Sequence, residues 1–257
     1  MMLQQTQVAR VIPRWKRFLD RWPTPAACAD ATLAEVLDEW AGLGYPRRAR
    51  NLWLTAQAVR DEHGGALPCD LAALMGLPGI GAYTARAVLA FAFEHDAAVV
   101  DTNISRVVAR RAGRTLMTRD AQAEADAFLT TGSAWAHNQS LMDLGAMLCR
   151  PDPDCSPCPL RTSCAWMIAG RPDPDPAIGS AGVSRRQARF TGSDRQGRGR
   201  LLEALRTSSV APDRLAIVMG WPDDEDRAVR VAATLVADGL VARDDDGVYD
   251  IRRAGSR

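Results

Sequence analysis

The sequence predicts an all-α protein, and three observations support this class. Apolar residues recur three and four positions apart through most of the first 148 residues, which is the period of amphipathic helices. No strand-like alternation of any length appears before a group of clustered cysteines begins at Cys149. A turn bracketed by glycines, Leu77-Pro78-Gly79-Ile80-Gly81, leads directly into the helical stretch 82–93. The last pattern indicates two helices joined by a tight turn.

Eight helices are predicted before the cysteines from this periodicity. Asp70 and Asp120 stand where helix caps are expected, just before two of the apolar repeats. The predicted helices are, in order, Val8–Leu19, Thr32–Trp40, Ala49–Glu62, Leu71–Met75, Thr84–Phe93, Ile104–Arg111, Ala121–Leu129 and Ser140–Leu148.

Composition excludes a membrane protein. The chain is 47% apolar and 25% charged with a net charge of +1, and it has no apolar run long enough to span a bilayer. The near-neutral total hides local groups of arginine, which suit contact with phosphates. Each single arginine is equally well explained as part of a solvated helix face. The basic groups are Arg10, Arg14, Lys16, Arg17 and Arg21, then Arg47, Arg48 and Arg50, and then Arg106, Arg110, Arg111 and Arg114.

The glycine turn and Asp101 form a candidate site. Glycine lets the backbone come close to a ligand, and the N–H groups that open the second helix can bind an anion. Asp101 follows the apolar pair Val99-Val100, where its carboxylate would lie near low-dielectric surroundings. Taken alone, the turn is better explained by an ordinary helical hairpin, while a helix N-cap is the less favoured alternative for the aspartate.

Four of the six cysteines are spaced as a metal-binding group. Four thiolates are the ligand count of a [4Fe–4S] cluster or a structural zinc ion. Disulfides are less favoured, because no signal peptide precedes the chain and 257 residues can bury a core without them. Cys28 and Cys69 stand alone and are expected to be small buried apolar residues. The clustered set is Cys149-x5-Cys155-x2-Cys158-x5-Cys164.

In this order, the hairpin, the aspartate and the cysteines resemble the helix–hairpin–helix DNA glycosylases that carry an iron–sulfur cluster. Within that superfamily the chain is most similar to the MutY-type adenine glycosylases, from Met1 to about Trp166. The matching residues are Met2-Leu3-Gln4-Gln5-Thr6-Gln7-Val8, Gly42-Leu43-Gly44-Tyr45, the hairpin with Tyr83, Asp101 with Asn103, Asn138-Gln139, and Met142-Asp143-Leu144-Gly145-Ala146-Met147.

The resemblance implies a DNA repair enzyme that removes adenine mispaired with 8-oxoguanine or guanine from double-stranded DNA. The target nucleotide must leave the stack to be reached. Asp101 matches the family's sugar-facing carboxylate, and Tyr83 and Asn103 match residues that line the same site. The four cysteines match ligands of a [4Fe–4S] cluster. The residues that match DNA-contacting or base-contacting positions are Gln4, Gln5, Thr6, Tyr45, Leu77, Gly79, Gly81 and Gln139.

The near absence of lysine predicts hydrolysis without strand cleavage. A glycosylase that also nicks the backbone needs an amine to form a Schiff base with the sugar. In lyase-competent relatives that lysine opens the second helix of the hairpin, where this chain has Tyr83. Lys16 is the single lysine and lies in a basic amphipathic helix, so we interpret it as a surface charge.

The chain departs from the family at three places. The family's proton donor is a glutamate that would stand immediately before Met1, and we expect a gene start assigned too late, at a GTG codon. The alternative is a glycosylase fold that binds DNA without efficient chemistry. The larger C-terminal domain that inspects 8-oxoguanine with a Phe-x-His element has no counterpart. The gap after Cys149 has five residues where the family usually has six, a change that a surface loop can absorb.

Four segments are predicted along the chain. Residues 1–148 form the glycosylase core, 149–169 the iron–sulfur cluster loop, 170–183 a proline-containing linker without folded structure, and 184–257 a small basic C-terminal module. The module is expected to be winged-helix-like, although a packing or protein-contact domain explains it equally well. Its predicted elements are a helix around Leu201–Leu205, helices Asp213–Met219 and Asp226–Asp238, and a hairpin of Leu240–Arg243 with Val248–Ile251.

Three other functions stay open. A mismatch thymine or uracil glycosylase is the nearest alternative, because Tyr83 occurs at that position there too, while Gln4-Gln5-Thr6 and Gln139 favour adenine. A non-catalytic DNA-binding protein and a zinc-ribbon regulator are the others. We expect a monomer that acts on DNA in the bacterial cytoplasm, at the nucleoid.

Overall fold

The computed structural model describes residues 1–183 and 189–251, and within them it shows thirteen helices and one hairpin of two short strands. The predicted all-α class is thereby confirmed. No helix in this part of the chain is long and apolar enough to cross a membrane. The helices are α1 Val8–Arg21, α2 Pro25–Ala29, α3 Leu33–Glu39, α4 Arg47–Glu62, α5 Leu71–Gly76, α6 Ala82–Ala92, α7 Thr102–Ala112, α8 Thr118–Phe128, α9 Ala134–Met147, α10 Ala165–Ile168, α11 Asp194–Leu205, α12 Pro212–Met219 and α13 Glu225–Ala237; the strands are β1 Ala242–Arg243 and β2 Tyr249–Asp250.

Most helices lie where the periodicity predicts them, and the differences are local. Helices α2 and α10 were not predicted, because four or five residues are too few to show a helical period. Asp70 caps α5 as expected, by accepting a hydrogen bond of 2.9 Å from the Ala73 amide. The cap predicted at Asp120 is wrong, since α8 begins two residues earlier with Met117 as its N-cap.

The chain divides by its contacts into two compact units. Unit 1 contains Met1–Pro68, Leu77–Gly79 and Gln187–Arg257, and unit 2 contains Cys69–Gly76 and Ile80–Arg186. The division of the sequence into four consecutive segments stays a prediction.

Unit 1 is built from both ends of the sequence. One apolar core contains Val36 and Leu37 of α3 together with Leu201 of α11 and Leu235 of α13. Arg206 donates a hydrogen bond of 3.1 Å to the Leu37 carbonyl, which also joins the two ends. The C-terminal residues therefore pack on the N-terminal helices.

The C-terminal elements follow the predicted order. Helices α11, α12 and α13 precede an antiparallel hairpin in which Ala242 pairs with Asp250 and Arg243 with Tyr249. A single bridge from Val210 to Tyr249 adds a third extended segment. Residues 184–188 and 252–257 of the predicted small basic C-terminal module lie outside the described residues.

Helix α7 lies at the centre of unit 2. Every residue from Ile104 to Arg110 is buried, and α9 packs along it. A methyl group added to Gly145 of α9 would lie 2.7 Å from the Cβ and carbonyl oxygen of Asn103, so the two helix backbones nearly touch there. The extended segment before α7 is also attached to α9. Asn138, which is 1% exposed, accepts from the Val99 amide at 2.9 Å and donates to the Ala97 carbonyl at 2.9 Å.

The segment after the cysteines is folded against α7, contrary to the expectation of an unstructured linker. Residues 175–183 run along the helix, and we call them the strap. Asp175 forms an ion pair of 2.5 Å with Arg110, and Ala177 and Ser180 are 3% and 4% exposed. Proline and aspartate predict a loop, but the partners that fix this loop lie more than sixty residues earlier in the chain.

Candidate active site

Helix α6 begins without a side-chain cap. Its N-cap is Gly81, which has no side chain to accept hydrogen bonds from the first-turn amides. Gly81, Ala82 and Tyr83 are all exposed, so this helix end faces solvent. The N–H groups and the positive end of the helix dipole there are suited to an anion such as a DNA phosphate.

The turn before α6 requires glycine. Gly79 has a φ of +74°, and a Cβ at this position would collide with the side chain of Asn51 on α4. The hydroxyl of Thr55, one turn further along α4, donates a hydrogen bond of 2.8 Å to the Pro78 carbonyl. Leu77 is buried at 3% exposure. Helix α4 therefore fixes the turn in two ways, by the close packing of Asn51 against Gly79 and by the hydrogen bond from Thr55 to Pro78.

Helix α7, in contrast, begins with a charged cap. Asp101 is its N-cap, and its Oδ1 accepts a hydrogen bond of 2.7 Å from the Ile104 amide. Its Oδ2 accepts one of 3.3 Å from the Asn103 side-chain amide. The two interpretations of Asp101 given by the sequence, a helix cap and a site residue, are therefore compatible, because the second oxygen keeps lone pairs for other partners.

Tyr83 lies within electrostatic reach of Asp101. Burial raises the pKa of the Tyr83 phenol, and the negative charge of Asp101 raises it further. The phenol therefore stays protonated at neutral pH and is able to donate a hydrogen bond. Since 42% of Tyr83 is exposed, this residue lies at the surface rather than in the core.

Arg106 connects this group to the cysteine loop. Its guanidinium donates to the Asn103 side-chain carbonyl at 2.7 Å, to the Gly145 carbonyl at 2.8 Å and to the Cys149 carbonyl at 3.0 Å. Asn103 is thereby held between Arg106 and Asp101, with its amide group directed to the carboxylate. Such a network fixes the orientation of each member more tightly than a single hydrogen bond does.

The predicted base contact at Gln139 does not join this hydrogen-bond network in the described structure. Its side-chain amide donates to Asp143, one turn further along α9, at 3.0 Å. Gln139 is half-buried, and it follows directly after Asn138, which holds the segment that leads to Asp101.

The N-terminal residues Gln4, Gln5 and Thr6 form a separate group in unit 1, organised by Arg48 of α4. The Arg48 guanidinium donates to the carbonyls of Met1 and Met2 at 3.1 Å each, to the carbonyl of Gln4, and to the Thr6 hydroxyl at 3.0 Å. The same guanidinium donates to the carbonyls of Leu43 and Gly44, at 3.1 Å and 3.2 Å.

Gln5 and Tyr45 have left-handed backbone conformations. Their φ angles are +56° and +48°, a region that non-glycine residues rarely adopt. Arg48 lies over the Tyr45 ring at 5.3 Å and bonds the residues on both sides of Gln5, so it supports both conformations. Strained residues held in this way are characteristic of binding sites.

The four clustered cysteines line one cavity. Its volume is about 420 Å³ including space open to solvent, and apolar side chains such as Leu144, Leu148 and Met167 form much of its wall. Arg110 donates to the Cys149 sulfur at 3.2 Å, and the Cys164 thiol lies 3.2 Å from the Arg110 carbonyl. All four predicted ligands, Cys149, Cys155, Cys158 and Cys164, are in the wall.

Among the described residues, no group of three or more histidine, cysteine or acidic side chains is placed to hold a metal ion. A zinc ion would draw four sulfurs to within about 4 Å of each other, given Zn–S bonds of about 2.3 Å. A [4Fe–4S] cluster needs thiolates spread around a cube, with one for each iron. The four cysteines around one cavity, with the buried cation Arg110 beside Cys149, supply the number of thiol ligands that such a cluster requires.

The isolated cysteines differ from each other. Cys28 is 4% exposed, and burial raises the pKa of its thiol to about 11, so it is the inert core residue that was expected. Cys69 is exposed, and the expectation of burial is wrong there, because it lies in the loop before α5.

Four residues that organise the site were not assigned a role from the sequence: Arg48, Arg106, Asn138 and Gly145. Their partners are distant in sequence, 39 to 47 residues away for the contacts to Gly145, Val99 and Met1. The available signals were weak: Asn138 stands directly before Gln139, Gly145 lies in the motif that follows it, and the two arginines lie in basic groups.

Comparisons with known proteins agree on one family. The sequence profile of the HhH-GPD superfamily of base excision DNA repair proteins matches residues 1–127. An adenine DNA glycosylase of Mycolicibacterium smegmatis is 41% identical over 99% of this chain and 86% of its own length. The human adenine DNA glycosylase is also 41% identical, over 63% of this chain and 31% of its own.

Two solved structures are similar in fold. A thermostable thymine-DNA glycosylase is 26% identical, with a TM-score of 0.60 over 65% of this chain and 81% of that chain. Endonuclease III, in a trapped covalent intermediate with DNA, is 25% identical, with a TM-score of 0.59 over 66% of this chain and 82% of that chain.

Proposed function

Because the chain belongs to the adenine DNA glycosylases of the HhH-GPD superfamily, we propose that it removes adenine mispaired with 8-oxoguanine or guanine in duplex DNA. It is a DNA glycosylase and therefore a hydrolase of N-glycosidic bonds. The proposal includes a monomer that hydrolyses this bond and leaves the DNA strand intact, since Tyr83 stands at the position of the lyase lysine and Lys16, the single lysine, lies on α1.

The observation that carries the proposal is the environment of Asp101. A purine leaves the sugar with positive charge developing on the ring, and a fixed carboxylate stabilises that charge. Asp101 is fixed by the Ile104 amide and by Asn103, and Tyr83 lies near it with a protonated phenol. These groups would hold the carboxylate, and the phenol could orient a water molecule or the sugar.

DNA would be held at a phosphate by the open N-terminus of α6 and the glycines before it. The target adenine would leave the stack, with Gln4, Gln5, Thr6 and Tyr45 contacting the duplex around the vacated position. Gln139 would contact the flipped base. We assign contact with the damaged partner base to these same core residues.

We assign the role of general acid to none of the described residues. Adenine leaves far more easily when it is protonated, and the resemblance places a glutamate at the position just before Met1. In unit 2, Glu124 forms an ion pair with Arg114, and Glu94 is exposed in the turn after α6. Neither is therefore a good candidate.

Excision assays on defined duplexes test this function. The 257-residue chain and the same chain with one glutamate placed before Met1 are incubated with adenine opposite 8-oxoguanine, guanine or thymine, and with thymine opposite guanine, and strands are cleaved by alkali. We expect excision opposite 8-oxoguanine and guanine only, much faster with the added glutamate, and no adduct trapped by borohydride. Excision of thymine instead of adenine would contradict the substrate, and a trapped adduct would contradict hydrolysis.

We propose that the four cysteines hold a [4Fe–4S] cluster, which would cross-link residues 149–164 and take no part in hydrolysis. Iron analysis and absorption of the purified protein test this. Cys158→Ser is expected to lower iron content and weaken DNA binding, because the loop carries Arg150 and Arg161, whereas Cys69→Ser should change neither. Zinc in place of iron, or full iron content in Cys158→Ser, would overturn the assignment.

A further inference from the structure

We propose that the strap, residues 175–183, sets the position of the Asp101 carboxylate, and that Thr102, Ser105 and Ser180 are positioning residues for the reaction. The inference rests on the proposed function of Asp101 and extends it to a segment without any assigned role.

The strap contacts the turn of α7 that carries the carboxylate. The hydroxyl of Thr102, the residue after Asp101, donates to the Gly182 carbonyl at 2.6 Å. The hydroxyl of Ser105, one turn later and buried at 1% exposure, donates to the Ala181 carbonyl. The strap therefore bonds the first turn of α7 at two points, on either side of the Ile104 amide that Asp101 accepts from.

Gly182 brings the strap close to the helix. A Cβ at this residue would lie 3.4 Å from the Ser105 Cβ and 3.6 Å from the Asp101 carbonyl oxygen. With a φ of +80°, Gly182 also has a backbone conformation that other residues adopt only at a cost. The strap thus packs directly on the backbone of the capping aspartate.

The strap is itself held by buried groups away from Asp101. The Ser180 hydroxyl donates to the Pro176 carbonyl at 2.6 Å and accepts from the Leu116 amide at 3.0 Å. The Ala181 amide donates to the Leu116 carbonyl at 2.8 Å. At its other end, Asp175 pairs with Arg110 in the last turn of α7. Both ends of α7 are therefore connected through one short segment.

These contacts have a consequence for catalysis. A carboxylate acts on a developing cation only if it is held at the right distance, and small displacements are costly. The capping bond to Ile104 fixes Asp101 to the helix, while the strap fixes the first turn of the helix to the rest of unit 2. Loosening the strap should move the carboxylate without removing its charge.

The test measures placement without needing excision. One duplex carries a pyrrolidine abasic analogue, which is cationic at neutral pH, and a second carries the neutral tetrahydrofuran analogue. The ratio of the two Kd values, tetrahydrofuran over pyrrolidine, is the cation preference, and it reports the contact of the carboxylate with a charge at the sugar position. Asp101→Asn should abolish it.

Two variants that weaken the attachment of the strap to α7 or to Leu116 should lower the cation preference. Thr102→Val removes the hydroxyl bond to Gly182, and we expect a loss of about 10-fold; Ser180→Ala loosens the strap away from the site, with an expected loss of about 5-fold. Thr102→Ser retains a hydroxyl and should keep the preference of the original chain. Binding of the tetrahydrofuran duplex should not change in any of them.

Ser193→Ala is the matched control. Ser193 caps α11 in unit 1, donates to the Phe190 carbonyl at 2.6 Å and accepts from the Gln196 amide, as Ser180 does with its own partners. Both alanine variants should lower the melting temperature, but only Ser180→Ala should lower the cation preference. If Ser180→Ala does not fold, Thr102→Val decides, because that hydroxyl is near the surface.

The outcomes separate the two proposals. An unaltered cation preference in Thr102→Val and Ser180→Ala, with its loss in Asp101→Asn, would overturn the role of the strap and leave the role of Asp101 standing. If the original chain shows no cation preference at all, the proposed role of Asp101 fails, and the role of the strap fails with it.

Discussion

Helices α6 and α7 follow each other in the sequence of unit 2, but their N-termini are capped differently. Helix α6 begins at Gly81 with no side-chain cap and an exposed first turn. Helix α7 begins at Asp101, whose carboxylate occupies the first-turn amide of Ile104. Each helix end attracts negative charge. The N-terminus of α6 is free to bind an anion from outside, whereas the N-terminus of α7 is already occupied by the carboxylate of Asp101. A positive helix end can therefore serve substrate binding in α6 and the positioning of a catalytic group in α7.

The largest effect is expected from removing the charge of Asp101 while keeping the cap. Asp101→Asn still offers an oxygen to the Ile104 amide, so the melting temperature should change little. Adenine excision by the glutamate-extended chain should fall by about 100-fold or more, because the developing cation loses its counter-charge. Single-turnover rates and thermal unfolding measure the two effects. If Asp101→Asn excised adenine as fast as the chain with Asp101, the role of Asp101 would be that of a helix cap alone.

A second test places an anion at the open helix. Gly81 has φ −89° and ψ 177°, and nothing lies within 4 Å of an added Cβ, so any side chain fits. Gly81→Asp should weaken binding of the tetrahydrofuran duplex by about 10-fold, since the new carboxylate repels the phosphate and occupies its amides.

Gly81→Ser provides the matched comparison, as it caps the helix without adding charge. It should weaken binding less than Gly81→Asp. Both variants should be at least as stable as the original chain, because Asp and Ser cap helices as well as or better than glycine. Unchanged affinity in Gly81→Asp, measured by fluorescence anisotropy at fixed salt, would show that the α6 end does not bind a phosphate.

The third test concerns the close packing behind Asn103. Gly145→Ala places a methyl group 2.7 Å from Asn103, and we expect a loss of about 1–3 kcal/mol in unfolding free energy and a lower cation preference. Gly199→Ala is the control, because Gly199 lies within α11 with nothing within 4 Å of its Cβ. It should keep or raise stability, since alanine favours helices. Equal behaviour of the two variants would contradict a tight α7–α9 contact.

The smallest effect is expected at the far end of α7. Burial alone would raise the pKa of Asp175, but hydrogen bonds from Arg110 and the Ala177 amide outweigh it and leave the pKa below that of an ordinary carboxyl group. The stability from this pair is therefore complete above about pH 4 and is lost as the pH falls through the lower pKa of the folded state.

The original chain should lose unfolding free energy between neutral and acid pH as this pair is broken. Asp175→Asn should accordingly reduce that loss by about 1 kcal/mol. Asp152→Asn, which alters an exposed carboxylate, should leave that loss unchanged. Melting temperatures between neutral and acid pH measure both variants. If the melting temperatures of Asp175→Asn and of the original chain fell in parallel with pH, the ion pair would contribute nothing to stability.

Local signals predicted much of this molecule. The periodicity predicted the helices, the glycines predicted the turn before α6, and four cysteines predicted a common site. What the sequence could not show were contacts between residues far apart, such as the hydrogen bonds from Arg48 to the carbonyls of Met1 and Met2, or the contact of Gly145 with Asn103. The strap was missed for the same reason, since its composition is that of a loop and its order comes from Arg110 and Leu116.

Unit 1 is formed by segments from both ends of the chain, and this affects how the protein folds during its synthesis. Val36 and Leu37 emerge early during synthesis, but their core also contains Leu201 and Leu235, which emerge near the end. The central residues of unit 2 are contiguous apart from the short turn 77–79, so they can fold first. Until the last helices arrive, the first three helices leave apolar surface exposed, and the nascent chain is most vulnerable to aggregation during this interval.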